Sequence, residues 1–165
     1  MATPKFILEL RKKIGHDPLW LIGVSAYVED ADGRVLLGRR SDTGEWAMVY
    51  GINEPGEEPA VTVVREVKEE TGVDCVPTDL VSVKSSTQMI AYGNGDQAMY
   101  MDHLFVCRLA DDGNTDPFVG DDESLNVGWF DVNDLPSPLA ATTVERMGYV
   151  RQWKAGDGRA LFSLQ

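Results

Sequence analysis

The chain has 165 residues, 43% of them hydrophobic and 25% charged, which suits one ordinary globular domain and leaves no room for a second core of similar size. Its 27 acidic residues against 15 basic ones give a net charge of -12, the wrong sign for a nucleic-acid binder or for docking on an anionic membrane. Two cysteines, Cys75 and Cys107, are too few for a disulfide framework or a Cys-based zinc site, and they read as reduced core thiols.

In chain order, Pro4 to Ile14 carries Phe6, Ile7, Leu10 and Ile14 at helical spacing with Arg11, Lys12 and Lys13 between them, so a short amphipathic helix is predicted. Its apolar cluster precedes most of its basic residues, the reverse of a signal peptide. No apolar run approaches the ~18 residues of a membrane span, so a soluble cytoplasmic protein is expected, with neither nucleic acid nor membrane as partner. Gly15-His16-Asp17-Pro18 breaks the helix. Residues 1–17 therefore read as an N-terminal helical arm and 18–160 as a single domain. The arm's apolar stripe would pack on the domain or on a second copy, which makes a homodimer an expectation.

Leu19 to Glu29 and Arg34 to Arg39 are strand-like and flank the turn Asp30-Ala31-Asp32-Gly33, so a β-hairpin is predicted. Ser41-Asp42-Thr43-Gly44 is a loop, Trp46 to Tyr50 an extended stretch, and Gly51 to Glu58 a second loop. Pro59 suits the first helical position and Gly72 the residue past the end, which brackets a helix over Pro59–Thr71. Val61, Thr62, Val63, Val64 and Val67 are β-branched and oppose this by propensity. The period decides it: Ala60, Val63, Val64 and Val67 share one face, and Arg65, Glu66, Glu69 and Glu70 the other. Strands follow at Cys75–Ser85, Ala98–Leu109 and Val127–Asp131, with a hairpin-type loop at Tyr92–Asp96, a long acidic loop over Asp111–Ser124, and a last helix over Leu139–Lys154. Without strict βαβ alternation, the sum is α+β or a mixed-sheet sandwich.

The acidic face of the middle helix is the chemical signal. Glu66 and Glu70 lie four apart, Glu69 lies three from Glu66, and Glu57 sits in the loop before the helix. Like charges at this spacing destabilise a helix by a few tenths of a kcal/mol per pair. A hard divalent cation gives such crowding a purpose, because Mg²⁺ takes oxygen ligands and shares them with substrate phosphates.

The segment Gly51-x5-Glu57-x7-Arg65-Glu66-Val67-x-Glu69-Glu70-x-Gly72-Val73 resembles the Nudix box at every fixed position. Seven specified residues at roughly 6% each and two aliphatic ones give on the order of 10⁻⁸ chance matches for such a chain. Weaker likeness runs through Val35-Leu36-Leu37, Arg39-Arg40, Trp46 and Trp129-Phe130. The resemblance implies the Nudix fold, a mixed β-sheet sandwiched between helices (α/β/α). It also implies Mg²⁺- or Mn²⁺-dependent hydrolysis of a nucleoside diphosphate linked to another group: a nucleotide sugar such as ADP-ribose, a dinucleotide, or a nucleoside triphosphate, oxidised or not. By the same resemblance Glu66 and Glu70 lead the metal ligands, Glu69 follows, Glu57 is an outer ligand or salt-bridge partner, the Gly51 carbonyl completes the site, and Arg65 orients the glutamates. Two positions depart from the family pattern: Tyr50 stands where Gly is usual and Ile52 where a basic residue is frequent.

The chemistry expected is attack of a metal-activated water in line on one phosphorus. Glu66 and Glu69, with Arg65, would be catalytic, and Glu123 on the acidic loop would serve as general base or extra ligand. Arg39 or Arg40 would grip a phosphate, and Tyr50 would stack on a base or simply fill a strand position. His103 reads as a packed strand residue and His16 as part of a turn. Two other functions compete: a non-catalytic nucleotide sensor on the same fold, and an isomerase of isopentenyl diphosphate, which would need a reactive cysteine.

Overall fold

The computed structural model describes residues 3–163. Its elements in chain order are α1 (Lys5–Ile14), β1 (Leu19–Glu29), β2 (Arg34–Arg40), β3 (Trp46–Ala47), β4 (Val49–Ile52), α2 (Pro59–Thr71), β5 (Cys75–Ser85), β6 (Ile90–Ala91), β7 (Gln97–Leu109), β8 (Ser124–Asp131) and α3 (Ala141–Ala155). The strands form one mixed sheet whose main path is β3-β2-β1-β7-β5, with β4 paired to β1, β6 to β7 and β8 to β2.

The centre of the sheet is β1. It runs parallel to β7 over its whole length, from Leu19 opposite Ala98 to Glu29 opposite Arg108. A parallel pair needs a long crossover, and the segment between these strands carries α2. Alternation along β1 then feeds two cores. Val24, Ala26 and Val28 pack toward α2 with Val63, Val67, Leu36 and Val73. Tyr27 points the other way, into a cluster with Val35, Leu37, Trp46, Met48, Leu104 and, from α3, Met147 and Val150. Helices on both faces make the α/β/α sandwich, and they explain why β1 is buried without interruption from Gly23 to Val28.

The reversal at Asp30–Gly33 forms, with Arg34 N–H donating to Asp30 Oδ1 at 2.8 Å. The predicted hairpin does not extend from it. Only Glu29 and Val35 are in register between β1 and β2; β1 then takes β4 and β7, and β2 takes β3 and β8. Turn residues reverse the chain, but burial on both faces of β1 favours a central position over a two-stranded ribbon.

The stretch from Trp46 divides at Met48, whose side chain is buried and whose N–H leaves the ladder to donate to Thr143 Oγ1 at 3.0 Å. Gly51 and Ile52 are consequently strand, not loop. The short β6 pairs Ile90 with Ala98 and closes a hairpin over Tyr92–Asp96. The stripe of α1 is used within the chain: Ile7 is buried against Leu21 and Ala98, with Phe6, Leu19 and Ile52 around it. Among the described residues, no helix is long and apolar enough to cross a membrane.

Leu36 is fully buried between β1 and α2. Leu36→Ala is expected to cost roughly 2–5 kcal/mol. A urea titration would show this as a lower midpoint with an unchanged slope.

Candidate active site

The β-branched residues of α2 are tolerated because packing outweighs propensity: Val63 and Val67 are buried on the sheet. Glu58 precedes the helix, Pro59 opens it, and Gly72 ends it at φ 71° with its N–H on the Lys68 carbonyl at 2.9 Å. Gly72 is required twice. Its left-handed φ disfavours a side chain, and a Cβ there would lie 2.1 Å from the Phe118 ring.

A second close approach builds the site. Gly51 stands opposite Val24 in the β4–β1 ladder, so both face α2. The Glu66 side chain crosses directly over Gly51, where a Cβ would sit 2.2 Å from the Glu66 carboxyl carbon. The carboxyl group is thereby pressed against strand backbone and left only 2% exposed.

Arg65 gathers the neighbouring acids. Its Nε and Nη2 donate to the two oxygens of Glu57 at 3.0 and 3.1 Å, a bidentate pair. Its Nη1 donates to Glu66 Oε1 at 2.9 Å and to Glu69 Oε2 at 3.1 Å. Glu57 also accepts from Thr62 Oγ1 at 2.8 Å. Buried Asn53 fixes the loop by donating to the Glu57 carbonyl at 2.9 Å and to Thr62 Oγ1 at 2.8 Å. Asn53 and Thr62 were not legible as site residues, because they occupy variable positions between the patterned ones. The outer side of this network borders a groove of about 710 Å³.

The electrostatics divide the four glutamates. Arg65 first, with Thr62 and the Glu54 amide, holds the Glu57 carboxyl down to about 2. Burial pushes Glu66 up to about 7, against the pull of Arg65 and with Glu69 adding to the rise. Burial, then the charges of Glu66 and Asp121, pushes Glu70 up to about 8, with Arg40 opposing. Glu69 is 55% exposed.

The acidic loop explains the presence of Asp121. Phe118 N–H donates to the Thr71 carbonyl at 2.9 Å and Gly120 N–H to the Glu70 carbonyl at 3.0 Å, so the loop clamps the end of α2. A Cβ on Gly120 would meet the Glu69 carbonyl at 2.0 Å. Asp121, on this loop, thus bears on Glu70 with its charge. Glu123 lies beside the β2–β3 loop, where its carbonyl accepts from Ser41 N–H at 2.7 Å.

The remaining predicted residues separate. Arg40 is paired with Asp42, its guanidinium lies 5.0 Å from the Tyr50 ring centre, and its charge acts on Glu70. Arg39 is exposed and donates to the Gly44 carbonyl at 3.0 Å, bracing its own loop. Tyr50 projects to the sheet face opposite Glu66, as strand alternation requires. His103 contacts the Gly23 carbonyl at 3.3 Å within the sheet, and His16 pairs with Asp96 at 2.8 Å beside the β6–β7 turn, so neither stands at the site. Among the described residues, no three Asp, Glu, His or Cys side chains are arranged to close around a metal ion.

Residues 20–153 match the NUDIX domain. The chain belongs to the Nudix hydrolase family. It is 29% identical over 145 residues to a mouse 8-oxo-dGDP phosphatase, NUDT18, a match covering 87% of this chain and 40% of that protein. It is 32% identical over 122 residues to the Bacillus subtilis (strain 168) Nudix hydrolase YvcI, covering 73% of each. The crystal structure of a MutT NUDIX hydrolase from Burkholderia pseudomallei superposes with a TM-score of 0.62 at 27% identity, over 80% of this chain and 98% of that one. The chain spans about a quarter to two fifths of the length of the first curated relatives it matches.

Glu66 and Glu70 hold their protons more tightly when folded than the ordinary value of 4.5 allows, so their stabilising contribution is full below that pH and is lost as pH rises through about 7 to 8. Glu57 has the opposite sign, but its contribution is lost only as pH falls below 4.5 toward about 2. In metal-free buffer the melting temperature of Glu70→Gln is therefore expected to exceed that of the parent by about 2–4 °C at pH 8.5 and to match it near pH 5. Calorimetry at the two pH values checks this, and an equal difference at both contradicts the assignment.

Proposed function

We infer that this chain is a divalent-metal-dependent hydrolase of the diphosphate linkage in nucleoside diphosphate derivatives. One observation carries the reading: the Glu66 carboxyl is pressed against the Gly51 backbone one helical turn from Glu70, and burial with the neighbouring acidic charge pushes both carboxyls up. A multivalent cation relieves that repulsion and reverses the local sign for an anionic substrate. The donors are all oxygen, which fits Mg²⁺ or Mn²⁺ rather than a thiophilic metal.

In this reading Glu66, Glu70 and the Gly51 carbonyl hold the metal. Glu57 stands back as the salt-bridge partner of Arg65, and Glu69 is drawn to the same guanidinium from an exposed position. Arg65 keeps the Glu66 carboxyl turned toward the strand by taking Oε1. The bound metal would neutralise the diphosphate oxygens and acidify a water. Proton removal falls to an acid of the loop that clamps α2; Glu123 is the expected base, and Asp121 sets the charge around Glu70. Arg40 faces the incoming phosphates from the other flank.

The mouse relative is named for 8-oxo-dGDP, which falls within this substrate class. An isomerase needs an accessible thiol, and Cys75 and Cys107 are both buried in the core beneath α2. Free thiols there suit the reducing cytoplasm. A sensor without turnover is the remaining alternative.

Incubation with Mg²⁺ and a panel of nucleotide sugars, dinucleotides and nucleoside di- and triphosphates is expected to yield a nucleoside monophosphate, and chelation to abolish it. Glu70→Gln should lower turnover by at least about 10²-fold while keeping the fold. Near-parental turnover in that variant would overturn the site assignment.

A further inference from the structure

The face of the sheet opposite the glutamates carries a cluster of which the reaction described above uses only Arg40. Tyr50 sits on it, opposite Ser25 in the β4–β1 ladder. The Arg40 guanidinium lies 5.0 Å from the ring centre, and that of Arg146, from α3, lies 5.3 Å from it. Arg146 is itself held: its Nε donates to Asp102 Oδ2 at 3.1 Å, and the other oxygen of Asp102 accepts from Ser25 Oγ at 2.7 Å. Both side chains of the Arg146–Asp102 pair are largely buried, at 16% and 19% exposure.

The donors left over have one sign. The two terminal nitrogens of Arg146 and Nη1 of Arg40 have no partner among the described residues. Guanidinium nitrogens donate and never accept. The nearby acceptor, Asp102, is already engaged at both oxygens. Such a cluster, rich in cationic donors, suits an anion with several oxygens. It also argues against base stacking on Tyr50, because two guanidiniums already lie over the ring.

The two faces meet at an edge. β4 pairs with β1, and its successive residues Tyr50 and Gly51 turn to opposite faces, with Gly51 under Glu66. Arg40 links the two, since its charge acts on the Glu70 carboxyl and its guanidinium lies 5.0 Å from the Tyr50 ring centre.

We propose that Arg146, oriented by Asp102 and Tyr50 and acting with Arg40, is a specificity-determining residue that binds the terminal phosphate of the substrate, and that the substrate class is therefore nucleoside di- or triphosphates with a free terminal phosphate, not sugar-capped diphosphates. The assignment rests on the diphosphate chemistry of the preceding section. A terminal phosphate carries close to two negative charges at neutral pH, whereas each phosphate of a capped diphosphate carries one. A guanidinium fork with free terminal nitrogens matches the former in charge and geometry.

The test measures binding, with Ca²⁺ replacing Mg²⁺, so that it does not depend on turnover. A nucleoside mono-, di- and triphosphate of one base and the matching diphosphate sugar are titrated calorimetrically into the parent, Arg146→Gln and Arg146→Lys. The parent is expected to bind the di- or triphosphate at least tenfold more tightly than the diphosphate sugar. Arg146→Gln, which can still donate to Asp102, should weaken the di- and triphosphate 10- to 100-fold and change the monophosphate and the sugar less than threefold. Arg146→Lys should recover part of the loss. Equal loss across all ligands with a lowered melting temperature would make Arg146 a packing residue of α3, and no selective loss would remove it from the site; either result overturns the proposal. Failure of the hydrolase reading shows separately, as absence of Mg²⁺-dependent product despite intact binding.

Discussion

A glutamate side chain can cross a strand this closely only where the strand has no Cβ, and the Gly51–Glu66 contact is such a crossing. It places a carboxyl group against backbone, away from water, at a cost that burial alone would not return. The surrounding residues respond to that cost. Arg65 supplies a charge-assisted hydrogen bond, Asn53 and Thr62 fix the loop that brings Glu57 to the same guanidinium, and the loop from Phe118 to Gly120 holds the end of α2 in place. Among the described residues Glu70 has no such hydrogen bond, and burial with the charge of Glu66 pushes its carboxyl up.

The sandwich makes this arrangement rigid. The face of α2 that bears Val63 and Val67 is sunk into the core fed by β1, so the opposite face cannot rotate away from Gly51. The same strand alternation that puts Gly51 under Glu66 puts Tyr50 on the other side, where α3 brings Arg146. One short edge strand thus presents carboxylates on one face and guanidiniums on the other. In a chain with net charge -12, that asymmetry matters for an anionic ligand.

Local chemistry was read well and non-local pairing poorly. The helix α2 is bounded as its Pro59 and Gly72 predict, despite six β-branched residues, because periodicity reports burial and burial outweighs propensity. The β1–β2 hairpin forms as an antiparallel pairing but stays short, for the complementary reason. Asp30–Gly33 encodes a reversal, while the choice of β7 as the long partner of β1 belongs to residues some eighty positions away. The division at Met48 was hidden because its cause is a hydrogen bond to Thr143, far along the chain.

The amino-acid sequence by itself determined the family, the acidic helix and the members of the box, since each depends on fixed spacings within 23 residues. Tertiary structure alone decided which acids bear on one another: Asp121 at Glu70, Glu57 withdrawn to Arg65, Arg40 turned inward and Arg39 outward. It also brought Asp102 and Arg146 together, a pair 44 positions apart in the chain. Spacing along a helix is a local geometric rule, whereas contact across a sheet depends on register and on how the packed layers close, and no short pattern encodes either.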